Sequence, residues 1–174
     1  LGDCGAVSQS GVITGAVTSS DDRVARAAIE ASGRIGGEQA LAALVSALEG
    51  PHAGAAEKAL LAFNGRIDPM VERLLARDDA KVLVPALRLA AARRMTVAAD
   101  RVFALLETSD KQVREAAYAA LPYVTGPSHM DRLAGLLDAA DGQHAAQIQT
   151  ALIRTSAQLP ACLLYTSDAA DERS

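Results

Sequence analysis

Aromatic side chains are nearly missing from this 174-residue chain, which has two phenylalanines, three tyrosines and no tryptophan. A β-sandwich or β-barrel would need far more aromatic and β-branched residues to cover its pleated surfaces. Half of the residues are nevertheless apolar, and most of these are alanine, leucine and valine. Because alanine is the strongest helix former, this composition predicts closely packed helices.

Long apolar runs, cysteines and an excess of basic residues are also missing. A membrane-spanning helix needs roughly 18 apolar residues, but the longest candidate, residues 82–92, is interrupted by Pro85 and Arg88. Two cysteines, Cys4 and Cys162, are too few for a disulfide framework. The net charge of −4 lacks the basic excess of nucleic-acid-binding domains. We therefore expect a folded chain whose partner is neither a membrane nor a nucleic acid.

What the chain does contain is a recurring motif. Residues 21–28 read DDRVARAA, and residues 110–117 read DKQVREAA. Apolar pairs recur along the chain at intervals of 31, 27, 31 and 31 residues, and they are Ala16-Val17, Ala47-Leu48, Leu74-Leu75, Leu105-Leu106 and Leu136-Leu137. Such a period is typical of stacked helical repeats, in which each unit buries its apolar face only against its neighbours.

Apolar positions spaced i, i+3, i+4 and i+7 divide each repeat into two helices, A and B. We predict A helices at about 8–17, 38–48, 69–76, 98–107 and 130–138, and B helices at about 22–34, 53–64, 80–94, 111–124 and 143–157. Val24 and Ile35 are expected in the core, and Asp21, Asp78 and Ser109 are the expected N-caps. The predicted fold is all-α, with about five antiparallel helix pairs.

Both ends of the chain depart from the repeat. Residues 1–5 align with residues 32–36, so we expect the chain to open on the tail of an incomplete helix. Residues 162–174 fit no repeat and resemble a translated sequencing adapter. We therefore assign residues 1–158 to a repeat array truncated at both ends, and residues 159–174 to a non-native or disordered tail.

The repeat resembles a known family. Its pattern, Asp-x-x-Val-Arg-x-x-Ala-Ala before a Gly-x-Ile-Gly turn and a short leucine helix, is similar to the HEAT repeat in its short bacterial, phycobilisome-lyase-type form. Residues 21–48 carry the best copy and residues 110–126 the second best, while later copies lack the turn. The resemblance covers about residues 1–158. It implies a right-handed α-solenoid with B helices on the concave side, and protein–protein scaffolding as the usual role.

No pattern typical of catalysis or metal binding occurs. The three histidines, His52, His129 and His144, never show the i, i+4 spacing of a helical metal site. Cys4 aligns with Ile35, which predicts a buried structural thiol rather than a nucleophile. We therefore predict no catalytic, cofactor-binding or metal-binding residues, no cofactor and no enzymatic activity.

The outward face of the B helices is the predicted working surface. Because arginine and tyrosine are enriched at interfaces, the candidate partner-binding residues are Arg23, Arg26, Arg34, Lys81, Arg88 and Tyr123. We predict a non-enzymatic protein–protein interaction scaffold that uses the concave helix-B face, binds another protein and is monomeric as a fragment. Its compartment stays open, with a cytoplasmic location favoured.

Other functions are compatible with the same pattern. The chain is alternatively a regulatory repeat segment of a larger enzyme, or a bilin-lyase-like assistant of phycobiliproteins. Nucleic-acid binding, as in HEAT-like DNA glycosylases, would need a basic groove with aromatic stacking residues. Only Tyr123 is an aromatic candidate on the outward face of the B helices.

Overall fold

A computed structural model of the chain describes residues 11–63, 65–140 and 142–159. Every regular element in these ranges is a helix, and no strand occurs in them. The helices are α1 (Asp22–Ile35), α2 (Glu38–Ala47), α3 (Ala53–Leu61), α4 (Asp68–Leu75), α5 (Ala80–Arg93), α6 (Ala99–Leu105), α7 (Lys111–Val124), α8 (Met130–Ala139) and α9 (Ala145–Ser156). Residues 11–16 are also helical, and short 3₁₀ turns at Thr96–Ala98 and Pro127–His129 precede α6 and α8. The all-α prediction is confirmed.

The helix bounds agree closely with those predicted from the apolar period. Each of the nine labelled helices begins within about two residues of its predicted start and ends within about three residues of its predicted end. The first A helix was predicted at residues 8–17, of which the structure describes only the part from residue 11 onward. The predictions for Cys4, for residues 1–5 and for residues 162–174 lie outside the described residues.

Aspartates cap three of the five B helices, α1, α5 and α7, and two of these caps differ from the prediction. The Asp21 carboxylate accepts hydrogen bonds from two first-turn amides of α1, at 2.9 and 3.3 Å. For α5 the cap is Asp79 rather than Asp78, and for α7 it is Asp110 rather than Ser109. In both helices the capping side chain belongs to the residue directly before the first helical residue, where its oxygen reaches the unpaired amides.

The chain divides into two compact units, Leu1–Arg93 and Arg94–Ser174. In the first unit, α1 packs on α2 and α3, α3 also packs on α2 and α5, and α4 packs on α5. Among the three B helices of this unit, α3 therefore contacts both α1 and α5. Ala25, Ile29, Ala56 and Leu60 have at most 1% of their surface exposed at the centre of this packing, which makes small and branched apolar side chains its main content.

The second unit repeats this arrangement of pairs. Here α7 packs on α6 and α9, and α8 packs on α9. Val102, Leu121, Leu133 and Ile148 form its buried centre. Thr125 and Thr155 are also buried, and their Oγ1 atoms are 3.3 Å apart.

Contacts within each unit recur at about the repeat length. Glu57 pairs with Arg88, 31 residues away, in the first unit. In the second unit Asp100 pairs with Arg132, 32 residues away, and Thr125 meets Thr155, 30 residues away. Within a unit, residues one repeat apart therefore contact each other, as stacking of sequence neighbours requires.

Two predicted core positions are wrong. Val24 is 45% exposed and Ile35 is 51% exposed, although Val113, the counterpart of Val24 in the second motif copy, is only 1% exposed. Val24 lines an open cleft between residues 11–16 and α1. The periodicity placed it on the apolar stripe of its helix, but burial also needs a neighbour that fills the space in front of that stripe.

Replacing Gly33 by valine is expected to destabilise the first unit. A Cβ at position 33 would lie 3.0 Å from the Cβ of Ala59, so a larger side chain would force α1 and α3 apart. Overpacking of this kind costs about 1–3 kcal/mol. Gly54 in α3 is the matched control, since a Cβ there would meet nothing within 4 Å. Chemical denaturation should give a lower free energy of unfolding for Gly33→Val than for the wild type, and little change for Gly54→Val. Equal losses in the two variants would contradict the close approach of α1 and α3.

Replacing Leu105 by aspartate should unfold the second unit locally. Leu105 is 6% exposed, so the new carboxylate would be buried without a partner. Such a charge costs about 3 kcal/mol or more. Ala104→Asp is the control, because position 104 lies on the same helix and is exposed. The melting temperature measured by circular dichroism should fall for Leu105→Asp and not for Ala104→Asp. An unchanged melting temperature for Leu105→Asp would contradict the assignment of Leu105 to the core.

Candidate partner-binding surface

The outward residues of the B helices are exposed in both units. In each unit taken by itself, we call these outward residues its helix-B face. In the first unit its exposed residues are Arg23, Arg26, Glu30, Arg34, Gly54, Leu61, Lys81, Arg88 and Ala92, and in the second they are Gln112, Ala119, Tyr123, Gln143, Ala146 and Thr150. All six predicted partner-binding residues belong to this set. Their exposure makes them accessible, and their role in binding stays a prediction.

A groove lies between α1 and α3 on this face, with a volume of about 490 Å³. We call it the α1–α3 groove. Its lining residues are Arg26, Ile29, Glu30, Gly33, Arg34, Ala55, Lys58, Ala59 and Ala62. The two helices approach closely at Gly33, and three alanines of the α3 side leave its floor shallow and apolar. The groove thus brings together two of the six predicted residues, Arg26 and Arg34.

The charged residues of this groove are three cations and one carboxylate. Arg26 pairs with Asp22 at 2.9 Å, and Arg34 lies 3.9 Å from Glu30. Lys58 is exposed and has no ion pair within the described part of the chain. Exposed pairs of this kind contribute about 0–1 kcal/mol. Replacing the carboxylate of Asp22 or Glu30 in these pairs by a carboxylate of a partner therefore costs little free energy.

The other predicted cations of the first unit have different surroundings. Nη1 of Arg88 lies 3.1 Å from both carboxylate oxygens of Glu57, whose side chain is only 15% exposed. Arg88 therefore links α5 to α3 across the helix-B face. Lys81 is exposed in the first turn of α5, and Arg23 lines the cleft beside residues 11–16. The structure does not bring these two side chains into the α1–α3 groove.

Tyr123 lies on α7 in the second unit, and both tyrosines of α7 contact side chains of α9 or of the residue just before it. The guanidinium of Arg154 is 4.5 Å from the centroid of the Tyr123 ring, a cation–π contact. Tyr118 stacks on His144 with ring centroids 3.7 Å apart and planes 14° apart. The ring of Tyr123 is therefore already engaged on one side by its own chain.

Lys58 is the groove residue that the sequence reasoning missed. A signal was present, because Ala55, Lys58, Ala59 and Ala62 have the i, i+3, i+4, i+7 spacing of a single helix face. That face is the one that meets α1.

The histidines contact their own chain. Nδ1 of His52 is 3.4 Å from Asp22, and Nδ1 of His129 accepts a hydrogen bond from the amide of Gly126 at 3.1 Å. His144 is buried, and its Nδ1 lies 3.9 Å from a carboxylate oxygen of Glu115. Among the described residues, no three His, Cys, Asp or Glu side chains are grouped so that they could hold a metal ion. None of the helices in those ranges has both the length and the apolar character needed to cross a bilayer.

A double-mutant cycle should assign a measurable coupling to the pair Glu57–Arg88. Alanine replacements of each residue and of both, compared by chemical denaturation, are expected to give a coupling of about 0.5–1 kcal/mol, because Glu57 is largely buried. Glu30–Arg34 is the control pair, since its atoms are 3.9 Å apart and both side chains are 75% exposed. Its coupling should fall below about 0.3 kcal/mol. Indistinguishable couplings would mean that Arg88 does not link the two helices.

No protein-family model matches the chain, and no curated protein matches it. Among solved structures, the chain is similar to an engineered protein from the Northeast Structural Genomics Consortium. The two share 21% sequence identity with a TM-score of 0.47, over 87% of this chain and 81% of that one.

Proposed function

We propose that this chain forms a HEAT-like α-solenoid that binds another protein through the helix-B face and has no enzymatic activity of its own. The observation that carries the proposal is the packing of three successive B helices in the first unit. Their outward side chains stay exposed and enclose an open groove with a cationic rim. Solenoid repeats create extended binding surfaces of this kind.

The recurrence of contacts at the repeat length supports the solenoid. Glu57–Arg88 in the first unit and Asp100–Arg132 in the second join residues 31 and 32 positions apart. A globular helical domain has no reason to repeat one sequence separation in this way. Stacked two-helix modules require it, because each module contacts mainly the next one.

The character of the surface favours a protein over a nucleic acid. The α1–α3 groove combines an apolar floor with an arginine-bearing rim, which is the usual anatomy of a protein–protein interface. Single-stranded nucleic acids need aromatic platforms and a continuous basic track. Tyr123 is covered on one side by Arg154, and the whole chain carries a net charge of −4.

Selection from a display library of diverse protein segments tests this proposal. The wild-type chain serves as bait, and each selected segment is then measured against Arg23→Glu/Arg26→Glu and against the control Arg66→Glu/Arg73→Glu. Both variants reverse two exposed cations of the first unit, but the control pair lies at and before α4, away from the B helices. Binding should fall by about tenfold or more for the first variant only.

Amide hydrogen exchange locates the bound segments independently of the variants. Protection is expected in α1, α3 and α5, and circular dichroism should give equal helicity for all the variants. Segments that bind both charge variants equally and protect α2 and α4 instead would contradict the proposal.

A further inference from the structure

We infer that the α1–α3 groove binds an acidic amphipathic helix of a partner protein. This inference rests on the proposed function, and it names the chemistry of the partner. Three observations carry it: the shape of the groove, the side chains that leave it open, and the charges on its rim.

The groove has the dimensions of a short helical contact. Its α3 side runs from Ala55 to Ala62, a length of about 12 Å or roughly two helical turns. Its α1 side runs alongside, from Arg26 to Arg34. A partner helix with apolar side chains at i, i+3 or i+4, and i+7 would cover this length, which is the usual mode of helix-in-groove recognition.

The equivalent region of the second unit carries large side chains that contact each other. In the alignment of the two motif copies, Ile29 corresponds to Tyr118 and Arg34 corresponds to Tyr123. Tyr118 stacks on His144, and Tyr123 is covered by Arg154, so large side chains of the chain itself occupy that region. In the first unit alanines stand opposite α1, and the space stays open to an external side chain.

The rim determines the charge of the occupant. Arg26, Arg34 and Lys58 are balanced by only two carboxylates, Glu30 in the lining and Asp22 beside it, so the rim keeps a cationic excess although the whole chain is acidic. Exposed charges are screened beyond about 8 Å at physiological ionic strength, so the rim matters more to a docked ligand than the net charge does. Carboxylates flanking the apolar side of a partner helix would meet these cations, whereas a basic helix would be repelled.

Designed peptides test the inference directly. The probe is a fluorescently labelled peptide of about 18 residues, with leucines at i, i+4 and i+7 and glutamates beside them. One control replaces every glutamate by glutamine, which keeps the shape and removes the charge. A second control scrambles the leucine positions, and a third places a proline in the middle. Fluorescence anisotropy with the complete chain should give binding for the first peptide, about tenfold weaker binding for the glutamine peptide, and none for the other two.

Variants of the chain locate the site. Arg34→Glu/Lys58→Glu should weaken binding of the glutamate peptide by about tenfold or more, and the loss should shrink at high salt. Arg66→Glu/Arg73→Glu, with the same change in charge beside α4, should bind like wild type. Ala62→Phe, which fills the groove at an exposed position without changing charge, should weaken both the glutamate and the glutamine peptides.

The outcomes separate this inference from the proposed function. Equal affinity for the glutamate and glutamine peptides, or binding that survives both Arg34→Glu/Lys58→Glu and Ala62→Phe, would overturn the inference. So would the absence of any binding by the glutamate peptide. In each of these cases, library segments that still protect α1, α3 and α5 would leave the proposed function standing. Protection confined to α2 and α4 would contradict both the inference and the proposed function.

Discussion

Burial between helices that lie one repeat apart is the constraint on which this structure depends. The described helices have only 7 to 14 residues, and isolated helices of this length are marginal in water. Each is stabilised by apolar contacts with its sequence neighbours, through residues such as Ile29, Leu60, Leu121 and Ile148. Caps and ion pairs then set where each helix begins and how neighbours are joined, but they act on helices that the apolar contacts already hold.

Much of the fold could be predicted from the sequence because its signals are local. A helical period and an aspartate before α1, α5 and α7 depend on residues a few positions apart, so the helix starts were predicted closely. The caps at Asp79 and Asp110 were missed by one position because each follows another residue that also caps well. The exposure of Val24 was missed for a different reason: a helix face does not reveal whether a neighbour covers it.

The same difference between local signals and contacts between helices applies to the candidate site. Period alone predicted that Arg26, Arg34 and Arg88 would be exposed, because it distinguishes the outward side of a helix from the inward side. It did not predict that Arg88 pairs with Glu57, or that Lys58 turns toward α1. Both depend on how two helices are aligned along their axes. The groove itself depends on the approach of Gly33 to Ala59, a distance between residues of different repeats.

The buried threonines of the second unit have a consequence for this alignment. Alanine-rich helix faces are smooth, so two of them have similar contacts when one slips along the other by a turn. Thr125 donates a hydrogen bond to the carbonyl of Leu121, and its oxygen is thus free to accept one from Thr155. Slippage would break the hydrogen bond between Thr125 and Thr155, which contributes about 0.5–1.5 kcal/mol. The pair therefore favours one axial register of α9 against α7 over registers shifted by a helical turn.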